Sequence, residues 1–307
     1  MDFGVAVANY GLGVSAAKLS AWGQTAERLG FEYAMVTDHV TQPAKVRQVY
    51  DEDFFEVLAS LSFLSAVTSR IRIGTTVAVL PLRHPLLLAR SVATIDRLSD
   101  GRVVLGVGVG GASDEYASLG VDFSRRGAMT DEYLAAIQRI WSGDWAFEGT
   151  FLRFEDLLPS PTPARPGGPP IWVGGAADAA LRRAARFGAA WHPTFPTLEA
   201  LAHGKRRLAE LAEARGRERP AIAPRITLNI TEKTVAAENR PLGIGTVAQI
   251  REDLCRLEEL GVGTVVVDPV KHRIIYDKIT LPGVGRSPAQ QDGTELATLE
   301  QFAKEIL

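Results

Sequence analysis

Short apolar runs of strand length alternate with longer stretches of helical period along most of the chain. Residues 3–8 predict a first buried strand. The helix after it carries Leu19, Trp22, Ala26 and Leu29 on one face and closes at Gly30. A second strand is predicted over 33–37, then a helix over 54–68 with Phe54, Leu58, Leu61 and Ser65 aligned. Residues 71–80, rich in β-branched side chains, predict a third strand. Pro85 stands where the next helix would begin, a position that tolerates its missing N–H. Asp100-Gly101 turns the chain into a fourth strand over 102–109. A helical stretch over 134–141 follows, then a short hairpin at the rim over 147–154. Further strands are predicted at 171–173, 189–192, 225–230 and 263–268, the last preceded by a helix that a Thr246/Gln249 capping box opens.

Eight strands with intervening helices are the pattern of parallel βα units. They fit a closed (β/α)8 TIM barrel with rim insertions and a C-terminal extension; a doubly wound open sheet is the alternative. The six prolines between 159 and 170 form an extended connector after which the alternation resumes, so 1–307 is expected to be one domain. The tail over 270–307 is unplaced: 272–292 has no clear period, and 294–307 reads as a final helix that could close the barrel.

Composition narrows the function classes. At 307 residues with 46% hydrophobic and 23% charged side chains, the chain can bury a large core. A net charge of -2 gives no electrostatic reason to expect nucleic acid or an anionic membrane as partner, and Lys205 to Arg207 read as a solvated helix face. Cys255 alone excludes an internal disulfide and a Cys-rich zinc site, and its helical setting suggests a small buried side chain. With no leader-like start and no apolar run of membrane-spanning length, a cytoplasmic location is the expectation.

Barrel active sites lie at the C-terminal ends of the strands. That rule selects Asn9, Asp38-His39, Thr76-Val77, Gly108 to Gly111, Gly174-Gly175, Trp191-His192, Asn229 and Asp268. His39 is the side chain best suited to exchange a proton near neutral pH, although Asp38 and His39 need not face the same way. The histidines at 39, 84, 192, 203 and 272 show no metal-binding spacing, and no metal is expected. Gly174-Gly175 between a strand and a helix is either a phosphate seat or simply a tight turn. The GxGxxG of residues 106–111 follows the fourth strand and lacks the acidic strand end of a dinucleotide fold, which counts against a Rossmann site.

The segments AERLGFEYAMVTDHV (26–40), TSRIRIGTTVAVLPLRHPLLLARSVATIDRLSDGRVVLGVGVG (68–110), DEYASLGVDFSRRGAMTDEYL (114–134), PPIWVGGAADAALRRAARFGAAWHP (169–193) and LGIGTVAQIREDLCRLEELGV (242–262) occur in one order that is diagnostic. In them the chain resembles the bacterial luciferase-like monooxygenase superfamily, and within it the coenzyme F-420 (deazaflavin)-dependent oxidoreductases. The resemblance implies a TIM barrel, usually a homodimer, with the deazaflavin or FMN across the rim and a separate reductase supplying reduced cofactor. It places a non-proline cis peptide at Thr76-Val77 under the ring, with Asp38 and Gly108 also in the cofactor site. The cofactor phosphate falls on Gly174, Gly175 and Ala176, and His39 lies at the redox centre as the catalytic residue. Asn9, Trp191 and His192 are expected at a small-molecule substrate. Members that oxidise sugar phosphates carry a glutamate where this chain has Gly111 and a tryptophan after the His, where it has residues 40–44 without one; a glucose-phosphate substrate is therefore not expected. The alternative to hydride transfer with F-420 is an FMN-dependent two-component monooxygenase.

Overall fold

Eight parallel strand positions follow one another around a single curled sheet: β1 (Asp2–Val7), β2 (Tyr33–Val36), β3 (Arg72–Thr75), β4 (Val103–Gly108), β5 (Ile171–Gly174), β6 (Ala190–His192), β7 and β8 (Thr264–Asp268). The seventh is split into Ala221–Ile222, which pairs with β6, and Arg225–Thr227, which pairs with β8. Pro224, without an N–H, lies at the break, yet its carbonyl accepts from Val266 and the Ala223 and Arg225 amides donate to Trp191 and Pro193. Both edges of β7 are thus used, and the sheet closes as a TIM barrel. This computed structural model describes residues 1–11, 13–47, 53–144, 146–158, 160–236, 240–270 and 294–307.

The strands are apolar on both faces because each has two burial environments. Val5, Val36, Ile73, Leu105, Val173 and Val267 point outward into the helix layer. Ala6, Tyr33, Met35, Val104, Trp172 and Val266 alternate with them and fill the barrel interior, where the Tyr33 and Trp172 rings lie 5.0 Å apart.

Helix starts follow the chemistry of their caps. Glu56 accepts from the Leu58 and Ala59 amides, so the helix predicted from residue 54 begins at Val57, and Phe54 instead bridges Tyr10. Pro85 opens the helix Pro85–Leu98, and the Thr246/Gln249 capping box opens Val247–Glu259. Cys255 on that helix is exposed, which corrects the buried reading; Ile250, Leu254 and Leu257 form the face that packs inward. The seventh strand begins at Ala221, earlier than predicted, and ends at Thr227; Asn229–Ile230 pairs separately with Ile244–Gly245.

The hairpin Phe147–Glu148 with Arg153–Phe154 lies along the helix Arg126–Trp141, where the Glu132 carboxylate accepts from the amides of Thr150, Phe151 and Leu152. The final helix Thr294–Ile306 buries Phe302 against Phe3 and Phe31, so it joins the outer layer as the helix after β8. The strand-like and loop-like pieces over 272–292 lie outside the described residues. Among the described residues no helix is long and apolar enough to cross a membrane.

Candidate functional site

Just beyond β3 the Thr76–Val77 peptide is cis, at the position the sequence motifs single out. The chain here presses directly on β4 and β5. A Cβ at Gly106 would lie 1.9 Å from the Thr75 carbonyl oxygen, and one at Gly108 would lie 2.6 Å from Val77 Cγ2. Gly174 likewise would bring a Cβ to 3.1 Å from Val77 Cγ1. The glycine run after β4 therefore makes room for the β3 segment, and Val77 is seated across two glycine-bearing strand ends. No dinucleotide fold is needed to account for residues 106–108.

Beneath this segment the upper interior of the barrel is polar. The Thr76 hydroxyl lies 2.8 Å from His192 Nε2, while His192 Nδ1 donates to the Ala223 carbonyl. A carbonyl can only accept, so Nδ1 carries the proton and Nε2 receives the Thr76 hydroxyl. Complete burial pushes the His192 pKa down from 6.5 to about 4, with Arg225 nearby acting the same way. From β7, Arg225 donates through Nη1 to the Thr76 carbonyl at 2.9 Å and through Nε and Nη2 to Asp268 Oδ2 at 2.9 and 2.5 Å.

Burial of neutral His192 has a pH consequence. Between pH 6.5 and about 4 the unfolded chain takes up a proton that the folded chain does not. Stability is expected to be unaffected by this group above 6.5 and to fall on acidification through that window, by about 3 kcal/mol in all. Denaturant midpoints against pH, compared with those of His192→Gln, test this; parallel curves would show that His192 does not contribute.

At the end of β2, Asp38 and His39 turn opposite ways. Asp38 is buried and accepts from the Val79 amide at 2.8 Å and from both terminal nitrogens of Arg83 at 2.5 and 2.8 Å. Burial pushes its pKa up, and Arg83 and the Val79 amide oppose that shift. His39 instead meets Glu115, with Nδ1 3.0 Å from Oε2 and the ring edge-on to Phe54. Glu115 is 2% exposed, and its other oxygen accepts from the amides of Val40 and Thr41 at 2.9 and 3.2 Å. Those two amides and the histidine hold a buried carboxylate, which in turn orients the ring. A carboxylate on Nδ1 selects the Nδ1–H tautomer and makes Nε2 the nitrogen that exchanges protons.

At the end of β5, Gly175 has φ +109 and the turn over 175–177 is exposed. No side chain caps the helix Asp178–Phe187 that follows, and of its first four amides those of Ala180 and Leu181 donate to the Ala177 carbonyl. The turn is a fit for a phosphate: glycine lets it approach, and the helix dipole favours its charge. Together with the Val77 surface, the turn suits a planar ring joined to an anionic tail.

Of the predicted site residues, His39, Val77, Gly175 and Ala176 reach the rim surface, and Thr76, Gly108 and Gly174 support Val77 from below. Asn9 is fully buried and clamps β1 to β2, donating to the Thr37 and Phe55 carbonyls and accepting from the Thr37 amide. Trp191 points outward against Gly204 and donates to the Gly175 carbonyl at 2.7 Å. His192 has no exposed surface. These three were expected at the substrate; in the structure Asn9 and His192 are buried with their polar atoms hydrogen-bonded within the protein, and Trp191, next to His192 on the strand, faces the helix layer. Asp38, expected at the cofactor, is likewise buried and hydrogen-bonded to Arg83. Sequence reading missed Glu115, Arg83 and Arg225. Glu115 lies inside one of the diagnostic segments, but its partner is 76 positions away.

Comparison with known proteins gives the family and the fold. A family model for luciferase-like monooxygenases matches residues 1–240. An uncharacterized protein of Mycobacterium tuberculosis (strain ATCC 25618 / H37Rv) is 37% identical over 190 residues, which is 57% of this chain and 66% of that one. The F420-dependent hydroxymycolic acid dehydrogenase of the same strain is 33% identical over 178 residues, 57% of this chain and 48% of its own. The oxygenase component of the flavin-dependent trigonelline monooxygenase of Acinetobacter baylyi (strain ATCC 33305 / BD413 / ADP1) is 34% identical over 116 residues, 37% of this chain and 32% of its own. The matched stretch thus spans less than two-thirds of each of these curated relatives. The coenzyme F420 dependent tetrahydromethanopterin reductase of Methanopyrus kandleri superposes with a TM-score of 0.77 at 16% identity, over 99% of this chain and 98% of that one. At that identity the likeness concerns the fold.

Proposed function

The chain belongs to the luciferase-like monooxygenase family, and from that premise we propose that it is a coenzyme F-420-dependent oxidoreductase acting on a small organic substrate. The observation that carries the reading is the His39–Glu115 pair on the rim, at the end of the strand that pairs with the one leading to Val77. A deazaflavin, when bound, supplies or accepts a hydride. Val77 would support its ring, and Gly174, Gly175 and Ala176 with the helix start would hold its phosphate. His39 Nε2 would give a proton to the substrate oxygen or nitrogen during reduction, or remove it during alcohol oxidation; Glu115 stabilises the charged ring. The protein is proposed to work in the cytoplasm as a homodimer, with a separate reductase replenishing the cofactor.

A second reading, an FMN-dependent two-component monooxygenase, is favoured by the likeness to the trigonelline enzyme. Both cofactors present a tricyclic ring and a phosphate, so binding separates them better than shape. Titration of the purified chain with coenzyme F-420 and with FMN is expected to show micromolar or tighter binding of F-420. Tight FMN binding with none of F-420 would transfer the assignment to the monooxygenase. Gly175→Val, at a backbone φ of +109 that valine does not readily adopt, is expected to weaken the bound cofactor roughly tenfold or more. Unchanged affinity in that variant would place the phosphate elsewhere.

A further inference from the structure

We propose that Arg225 is a positioning residue for the cofactor, holding the Thr76–Val77 segment, and with it the Val77 seat, from inside the barrel. This rests on the cofactor reading above. A guanidinium is costly to bury unless it is paired and hydrogen-bonded. Arg225 is nevertheless only 4% exposed, and its partner Asp268 is 0% exposed. Asp268 accepts two of its hydrogen bonds through Oδ2, while Asp268 Oδ1 accepts from the Val270 amide at 3.1 Å. Nη1 faces away from the carboxylate, toward the Thr76 carbonyl at 2.9 Å and Thr37 Oγ1 at 3.3 Å.

A buried ion pair can be exchanged for apolar side chains of similar volume without loss of stability, so packing does not explain this one. Its geometry does. β8 pairs with β1 and β7, and β3 pairs with β2 and β4, so no backbone ladder joins β8 to the segment after β3. The planar fork of an arginine spans that gap, binding the β8 carboxylate on one side and the Thr76 carbonyl on the other. His192 of β6 holds the Thr76 hydroxyl at 2.8 Å from another direction. Thr76 is thereby gripped at two atoms from across the barrel mouth, and Val77 follows it on the surface. A lysine offers one point of attachment in place of the fork and is not expected to hold both ends.

The test uses the full chain, loaded with coenzyme F-420 or FMN, whichever the wild type binds. The double variant Arg225→Met with Asp268→Leu removes both charges and is expected to melt close to wild type. Its cofactor dissociation constant is expected to rise roughly tenfold to a hundredfold, the loss typical of a charged hydrogen bond, and the visible absorption band of the bound ring to shift. Wild-type affinity with an unshifted band would overturn the proposal. Should the double variant fail to fold, Arg225→Lys decides by the same two readings, with weaker binding and a shifted band expected and an unchanged pair of values overturning it. If the wild-type chain binds neither cofactor, the functional reading itself is what fails.

Discussion

Replacing His39 with alanine is expected to lower turnover about 10²- to 10⁴-fold, the usual contribution of a positioned acid or base, with the cofactor dissociation constant changed only a few-fold. The expectation follows from the division of labour at the rim. In the proposed reading Val77 and the Gly175 turn hold the cofactor, whereas His39 is oriented through Nδ1 by a carboxylate that is 2% exposed. The measurement is the change in cofactor absorbance with a carbonyl, imine or alkene substrate found by screening. Glu115→Gln gives a second reading. It keeps an acceptor for the Val40 and Thr41 amides but removes the charge that stabilises protonated His39. Its turnover is expected to fall between those of the wild type and His39→Ala, with the cofactor dissociation constant unchanged. Full turnover in His39→Ala would remove the histidine from the chemistry and leave the pair a structural feature of the rim.

Gly106→Ala is expected to cost about 3 kcal/mol or more of stability, at or above the upper end of overpacking penalties. The added carbon would sit 1.9 Å from the Thr75 carbonyl oxygen and 3.3 Å from Val77 Cγ1, and a backbone atom cannot yield as a flexible side chain can. Cofactor affinity is expected to fall as well, since whatever moves Thr75 moves the Val77 seat. Gly111→Ala is the control within the same glycine run: nothing lies within 4 Å of a Cβ there, and its effect is expected within about 0.5 kcal/mol. Denaturation midpoints of the two variants distinguish a close-packing role from a shared loop role. Equal, small effects would mean that β4 and the β3 segment do not interlock as described.

Much of the fold was legible in the chain alone. Strand-length apolar runs separated by helical periods specify βα units, and the Pro85 start, the Asp100-Gly101 turn and the Thr246/Gln249 box are local signals whose partners lie within a few residues. Errors came where a local rule met a longer-range partner. Glu56 moved a helix start, and the split at Pro224 hid half of β7 because two-residue strand pieces carry too little periodicity to register.

The site divided along the same line. The sequence determined which residues stand at strand ends, and its motifs placed the family, the cis peptide at Thr76–Val77 and the Gly175 turn. Which way each of those side chains faces is set by packing across the closed barrel. Asn9 and His192 are buried and hydrogen-bonded within the protein, Trp191 faces the helix layer, Asp38 turns to Arg83, and His39 finds Glu115. The physical reason is that a strand alternates its faces and a closed barrel brings distant strand ends to one mouth. A side chain's neighbours there are set by closure, over separations such as the 149 positions between Thr76 and Arg225, to which local spacing is blind.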